Sequence, residues 1–394
     1  MAITDEKKGA WDIDKVYDKQ MEGDIWTYSP LRQLFITGRN AYGAAGQGST
    51  NNGYSSPVQV PGTSQWNTAT PVSNYGAIAT RADGTMWGWG YNGYGETGLP
   101  TSVSQYESPA QITGSGWARA SSFGGHHSVL AVKTNGTLWS WGQNEYGQLG
   151  HNNTNGANDG PVQIGSGTDW SSSSYSIHMS GYYGMAIKTD GTLWMWGSNQ
   201  SGMLGMGNQT QYSSPRQVPG TDWAKCGRGY NTTWAIKSNG DAYGWGQNGY
   251  GDLGTSNKTQ YSRPQQVPGS WKIIGGFDNS GIGIKTDGTM WSWGRNCSGQ
   301  LGQNNKYCPS GESSGSPQEI YGTNSNWDSL ISGGANFMAR KTDGTLWGAG
   351  NNDEGQFGVN NRTKYSSPVQ LPGTWASLEN VGSFGDVGTF LKAD

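Results

Sequence analysis

The chain has 394 residues, including 66 Gly, 15 Pro, 20 Trp and 20 Tyr, with 32% hydrophobic and 13% charged residues. A net charge of −3 gives no general electrostatic pull toward nucleic acid, and the aromatic content excludes a disordered chain. No apolar run is long enough to span a membrane as a helix, and the Val/Ile/Leu runs of a doubly wound α/β enzyme are missing. Turn-formers and aromatics together predict short strands, hence an all-β protein.

In chain order, residues 1–24 come first and hold seven acids and four bases, far above the average of the chain. This composition boundary predicts an N-terminal anchoring arm over residues 1–32, with no apolar core of a secretory signal. Ile13, Val16, Tyr17 and Met21 fall on one face of a short amphipathic helix, flanked by Trp11 and Trp26. Those six residues are the candidate partner-docking set. Packing of the same face on the rest of the chain is the plain structural alternative.

From residue 33 onward the sequence repeats. A motif Trp-x-Trp-Gly-x-Asn-x-x-Gly-x-Leu-Gly recurs with its Asn at 40, 92, 144, 199, 248, 296 and 352. The clearest copy runs from Trp139 to Gly150, and the first, Phe35 to Gly46, is degenerate. A Pro-x-Gln-Val element keeps step at Pro57, Pro109, Pro161, Pro215, Pro264, Pro317 and Pro368. A lone Trp follows each, at 66, 117, 170, 223, 271, 327 and 375. Three markers in phase define a repeat architecture.

Each unit reads as a small antiparallel sheet. Asp-Gly or Asn-Gly pairs at 83, 135, 190, 239, 287 and 343 stand between strand-like runs and predict type I′ hairpins. The Pro-containing stretch predicts an outer edge strand, and the Gly/Ser-rich stretch after the lone Trp an inner one. Four strands in each of seven units predict a seven-bladed β-propeller over residues 33–394. Leu34–Gly38 lacks a hairpin partner, and so does Thr389–Asp394, so pairing of the N- and C-terminal strands is expected to close the ring.

The Trp-Gly-x-Asn-x-x-Gly-x-Leu-Gly repeat resembles that of the regulator of chromosome condensation family. The resemblance covers roughly residues 33–394 and implies a seven-bladed propeller. Its founding member is a nucleotide exchange factor for a small GTPase that binds chromatin, and other members are regulators or scaffolds. Exchange activity there is associated with an inserted wedge, which the near-uniform repeats of this chain lack. The near-verbatim Lys-Thr-Asp-Gly-Thr-Leu-Trp units also look like phage-encoded propellers. The stretch Gly9 to Gln20 looks like the leader of phage structural proteins.

Few residues carry chemistry. There are four His, at 126, 127, 151 and 178, with no paired metal-ligand spacing, so no metal site or cofactor is expected. A His near 126 or 127 is usual in the resembling family, where it supports the blade. The three cysteines set no disulfide framework and suit a reducing compartment, with a Cys297–Cys308 bridge left open. The hairpin turns account for Asp83, Asp190, Asp287 and Asp343. The repeat tryptophans read as structural. Tyr42, Tyr94, Tyr146 and Tyr250 lie inside the Asn-x-x-Gly loops and form the candidate ligand face.

These readings predict a non-enzymatic phage virion structural protein: a tail fibre, adhesin or head/tail decoration. Its arm would attach to other virion proteins, and its propeller would bind a host-surface glycan or protein. The localisation expected is the virion. The alternative is a cellular scaffold or GTPase regulator. The third reading, a glycan-cleaving enzyme, needs two carboxylates across the propeller axis.

Overall fold

The computed structural model describes residues 32–51, 53–62, 65–123, 126–156, 158–306, 314–320, 325–376, 378, 383–384 and 386–393. The arm expected over residues 1–32, with Trp11, Ile13, Val16, Tyr17, Met21 and Trp26, lies outside them save for Arg32, which opens the first strand.

The chain is an all-β propeller of antiparallel sheets. β1 (Arg32–Gly38) and β2 (Tyr54–Gln59) precede a meander of β3 (Trp66–Val72), β4 (Gly76–Arg81), β5 (Met86–Tyr91) and β6 (Gln105–Ile112). The next meander is β7 (Trp117–Ser122), β8 (Ser128–Lys133), β9 (Leu138–Gly142) and β10 (Asn158–Gln163). The third is β11 (Ile177–Met179), β12 (Tyr183–Ile187), β13 (Leu193–Gly197) and β14 (Tyr212–Gln217). A longer sheet takes β15 (Trp223–Arg228), β16 (Thr232–Lys237), β17 (Asp241–Gly246), β18 (Tyr261–Phe277), β19 (Ser280–Lys285), β20 (Met290–Gly294) and β21 (Ser314–Glu319). The last meander is β22 (Trp327–Ser332), β23 (Asn336–Lys341), β24 (Leu346–Gly350) and β25 (Tyr365–Leu371). β26 (Ser383–Phe384) and β27 (Val387–Ala393) then join β1 and β2 in the order β2-β1-β27-β26.

The described strands therefore form five four-stranded sheets and one of seven strands, which corrects the seven-bladed closed propeller read from the repeats. The cause is β18, whose 17 residues run unbroken. Its first part pairs with β17, up to Ser270 opposite Asp241, and its second with β19, from Trp271 opposite Lys285. Ser270, opposite Asp241, returns to the ladder just before Trp271, so the link stays within the sheet. The two termini do pair: β1 and β27 are in register from Arg32 opposite Ala393 to Gly38 opposite Val387.

The Asp-Gly turns differ in kind from the expectation. The Gly84 N–H reaches the Arg81 carbonyl at 3.0 Å and the Arg81 N–H reaches Thr85 at 2.9 Å, which makes a three-residue loop. Gly84 has φ +77°, whereas Asp83 keeps a negative φ. This is a type I turn closed by a glycine bulge, not type I′. The Asp is selected for another reason: its Oδ1 accepts both the N–H and the hydroxyl of Thr85, at 2.9 and 2.7 Å.

Two further repeat residues are structural. The motif Asn is buried, and its Oδ1 accepts a backbone N–H five residues on, as in Asn144 to Leu149 at 3.0 Å and Asn352 to Phe357 at 2.9 Å. The second Trp of each pair crosses to the preceding loop. Trp89, Trp141, Trp196, Trp245 and Trp293 donate Nε1–H to the carbonyls of Ala44, Glu96, Gln148, Met203 and Asp252, at 2.7–3.1 Å. Buried indoles thus stitch each repeat to the one before it, and their N–H groups are satisfied. Cys226 is free and buried, whereas Cys297 is disulfide-bonded, which corrects the reading of three reduced thiols; Cys308 lies outside the described residues.

Candidate functional site

The loops after β1, β5, β9 and β17 carry the four candidate tyrosines. Each loop is folded from below by its motif Asn, so the residue two places on is pushed to the surface. Tyr42 itself adopts φ +59°, and Gly95 and Gly147 take positive φ next to Tyr94 and Tyr146. Three of these tyrosines join an aromatic arc whose two halves meet at the sequence neighbours His126 and His127. The fourth stands apart.

The arc starts at Tyr42, whose ring lies 5.3 Å from Tyr75 and 5.0 Å from Tyr91. Tyr91 leads to His127 at 5.7 Å, and Tyr94 stacks on His127 at 4.5 Å. The neighbouring His126 lies 4.7 Å from Tyr182 and 5.8 Å from Tyr230. Tyr146 packs edge-on to Tyr182 at 5.1 Å. Edge-to-face contacts at these distances are favourable and lock the rings. Tyr42, Tyr94 and Tyr230 are 41%, 39% and 38% exposed and rank among the most exposed large side chains described. Tyr250 is covered instead by Arg295, 5.6 Å above its ring and paired with Asp278 at 3.1 Å.

Electrostatics distinguish the members. Glu96 is fully buried; its Oε1 lies 2.6 Å from His127 Nδ1, and its Oε2 accepts the Tyr94 N–H at 2.9 Å. One carboxylate therefore holds both stacked rings. Burial drives His126 down to about 4, helped by His127 and Arg228, so it is neutral at physiological pH. Tyr182 and Tyr230 share a hydroxyl–hydroxyl bond of 2.9 Å, and burial with that bond pushes Tyr182 up to about 12. At the start of the arc Arg39 lies 5.4 Å over Tyr75 and pairs with Glu354 at 3.2 Å and Asp386 at 2.9 Å.

Sequence reasoning missed Tyr75, Tyr91, Tyr182, Tyr230 and the role of His126 and His127. Apart from Tyr91, which ends β5, these residues sit in the turns between the first and second strands of the meanders. A signal was present: an aromatic or His follows small residues in Ser73-Asn74-Tyr75, Gly181-Tyr182 and Gly229-Tyr230.

The axis offers a cavity of about 110 Å³ walled by the inner strands, with Thr68, Ser121, Ile177, His178, Arg228 and Ile274 among its lining. Asp and Glu are absent from its described lining, so the carboxylate pair of a glycosidase is not assembled there by the described residues. Among the described residues no group of three or more His, Cys, Asp or Glu is placed to hold a metal ion.

Human WBSCR16 superimposes with a TM-score of 0.78 at 16% identity, covering 92% of this chain and 99% of that one. Prp20p of Saccharomyces cerevisiae gives 0.75 at 16% identity, covering 96% and 94%. At such identity the likeness concerns the fold. In sequence, the ultraviolet-B receptor UVR8 of Arabidopsis thaliana is 32% identical over 143 residues, 36% of this chain and 31% of the receptor. Human protein RCC2 is 38% identical over 97 residues, 23% of this chain and 17% of RCC2. The chain thus spans less than a third of the length of these curated relatives. They are proteins of cells, which overturns the virion localisation, and none of these comparisons supports the phage structural, tail-fibre or host-attachment reading. The regulator of chromosome condensation (RCC1) repeat matches residues 83–131, 135–182, 190–236, 239–274 and 287–339, more than half of the chain. The chain belongs to the regulator of chromosome condensation repeat family.

Proposed function

We propose that the propeller is a non-catalytic binding platform of a cellular regulator or scaffold, and that it engages a protein partner through the aromatic arc. One observation carries this reading. Tyr42, Tyr94 and Tyr230 are held by ring packing yet leave more than a third of their surface to solvent. Rigid, exposed Tyr on loops of a fixed scaffold is the composition of a binding surface, since little side-chain entropy is lost on contact. The names of the relatives agree with such a role: a receptor among them, and Prp20p, described with its binding to Gsp1p and histones.

The test is co-purification from the source organism with the full chain, with a Tyr42→Ala/Tyr94→Ala/Tyr230→Ala variant, and with Thr221→Ala at the opposite, hairpin end. A stoichiometric partner is expected with the parent and with Thr221→Ala and lost with the triple variant. A partner retained by a folded triple variant overturns the proposal.

A further inference from the structure

The arc has a chemical preference that two of the chain's own side chains display. Arg39 lays its guanidinium over Tyr75 and between two carboxylates, Glu354 and Asp386. Arg295 repeats the arrangement over Tyr250 with Asp278. Both arginines stand at the same repeat position, between the strand-ending Gly and the motif Asn. The corresponding residues of the other units are Tyr91, Gln143, Ser198, Gln247 and Asn351, so the chain supplies no arginine there.

Carboxylates stand at both ends of the arc. At the first, Glu354 and Asp386 pair with Arg39, and Arg362 lines one cavity with Arg39 and Glu354. At the other end Glu145, beside Tyr146, is exposed and makes no ion pair among the described residues. Between them His126 is neutral and adds no opposing charge near pH 7. Exposed ring faces flanked by carboxylates, with Glu145 unpaired among the described residues, attract cations rather than anions.

We infer that the arc receives an extended basic segment of a partner protein, its arginine or lysine side chains laid over Tyr42, Tyr94 and Tyr146 between Glu354 and Asp386 at one end and Glu145 at the other. This rests on the binding-platform reading and names the chemistry of its partner. The guanidinium is the better fit of the two, because it meets a ring and pairs at once, as Arg39 does here with the hydroxyl end of Tyr75 and with Glu354.

The experiment is fluorescence polarisation of the full chain with a labelled nonapeptide of alternating Gly and Arg. A matched citrulline peptide keeps shape and hydrogen bonding but lacks charge. Unlabelled maltoheptaose serves as a neutral-sugar competitor. The Arg peptide is expected to bind at least tenfold more tightly than the citrulline peptide, with no competition from the sugar. Tyr42→Ala and Tyr94→Ala each weaken binding about two- to fivefold. Glu145→Lys, at a solvent-exposed site that cannot compromise folding, weakens it further, whereas Glu319→Gln on β21 leaves it unchanged. Equal affinity for the citrulline peptide overturns the inference, as does indifference to the tyrosine variants. So does a Glu319→Gln effect as large as that of Glu145→Lys, which marks non-specific attraction. Sugar competition with citrulline tolerance reassigns the arc to a glycan. The co-purification test judges the platform reading separately: a partner lost with the triple variant sustains that reading whatever the peptides do.

Discussion

Asp252 offers the sharpest test of the physical account, because the repeats supply its controls. In three other loops the equivalent residue is Gln. Gln148, Gln300 and Gln356 each accept the backbone N–H two residues before, at 2.8, 2.7 and 3.1 Å. In a fourth, Glu96 accepts the same bond at 2.9 Å and has His127 beside its other oxygen. Asp252 is one methylene shorter. Its main-chain carbonyl still accepts from Trp293 at 2.7 Å, so the residue cannot slide toward the donor. Both of its carboxylate oxygens are buried without a hydrogen bond of normal geometry. Burial pushes the carboxyl up to about 8; the facing Tyr250 N–H opposes this, and nearby Asp278 adds to it.

The sign follows from proton counting. The folded chain holds a proton on Asp252 between its unfolded value of 3.8 and about 8, and the unfolded chain does not. Stability from this group is therefore complete below about pH 4, falls as pH rises, and is lost above about pH 8. At roughly 1.4 kcal/mol per tenfold, the span corresponds to an upper bound of about 6 kcal/mol. Local opening that lets water reach the carboxylate lowers the expressed value to about 2–3 kcal/mol. Asp252→Asn removes the charge at constant length, and Asp252→Gln also restores the reach. Both variants are expected to be more stable than the parent at pH 8.5 by chemical denaturation, and Asp252→Gln the more so. At pH 4.5 the advantage shrinks to about 1 kcal/mol or less. Subtracting variant from parent at each pH cancels the titrating groups that do not interact with Asp252. A difference that does not change between pH 4.5 and 8.5 refutes the reasoning, and so does a variant less stable than the parent at pH 8.5.

Other expectations follow from the same contacts. Asn144→Ala deletes the acceptor of the Leu149 N–H and the donor to Asn153 and Asn155, and should cost about 2–4 kcal/mol in urea unfolding. Trp196→Phe keeps most of the apolar contact but strands the Gln148 carbonyl, for a loss of about 1–2 kcal/mol with an unchanged far-UV spectrum. His126 is pushed down to about 4, so its folded form binds fewer protons than the unfolded form between pH 4 and 6.5. Stability should fall as pH drops through that window, by up to about 3 kcal/mol, and His126→Phe should flatten this part of the profile.

Much of the fold was legible because the determinants are local and repeated. The motif Asn acts within its own loop, five residues from its donor partner, so a fixed spacing carries it. The Asp-Gly turn is local too, but its dipeptide is compatible with more than one hairpin. What decides between them is one extra residue, Ala82 in the first copy, that enters the loop rather than the strand. The count of separate sheets failed for a related reason. Strand ends are marked by Pro and Gly, and Val267-Pro268-Gly269-Ser270 carries those marks, yet Ser270 pairs again with Asp241 and the strand runs on. Punctuation in sequence states where a chain is able to turn, not whether it does.

The candidate site was half legible, and the division follows one structural rule. A loop tyrosine joins the arc only where the turn of the following unit presents another ring. Tyr42 meets Tyr75, Tyr94 meets His127 and Tyr146 meets Tyr182. Tyr250 meets the turn that holds Asp278 and Asn279, and Arg295 closes over it instead. The four tyrosines occupy identical places in the motif, so no inspection of the motif separates them. The turns they meet lie 28 to 36 residues later, and their composition varies from unit to unit. Within each repeat the two positions look independent; propeller packing makes them one surface. Reading a repeat protein for function therefore requires comparing each unit's loop with the next unit's turn, since binding chemistry forms across the seam between units rather than inside either.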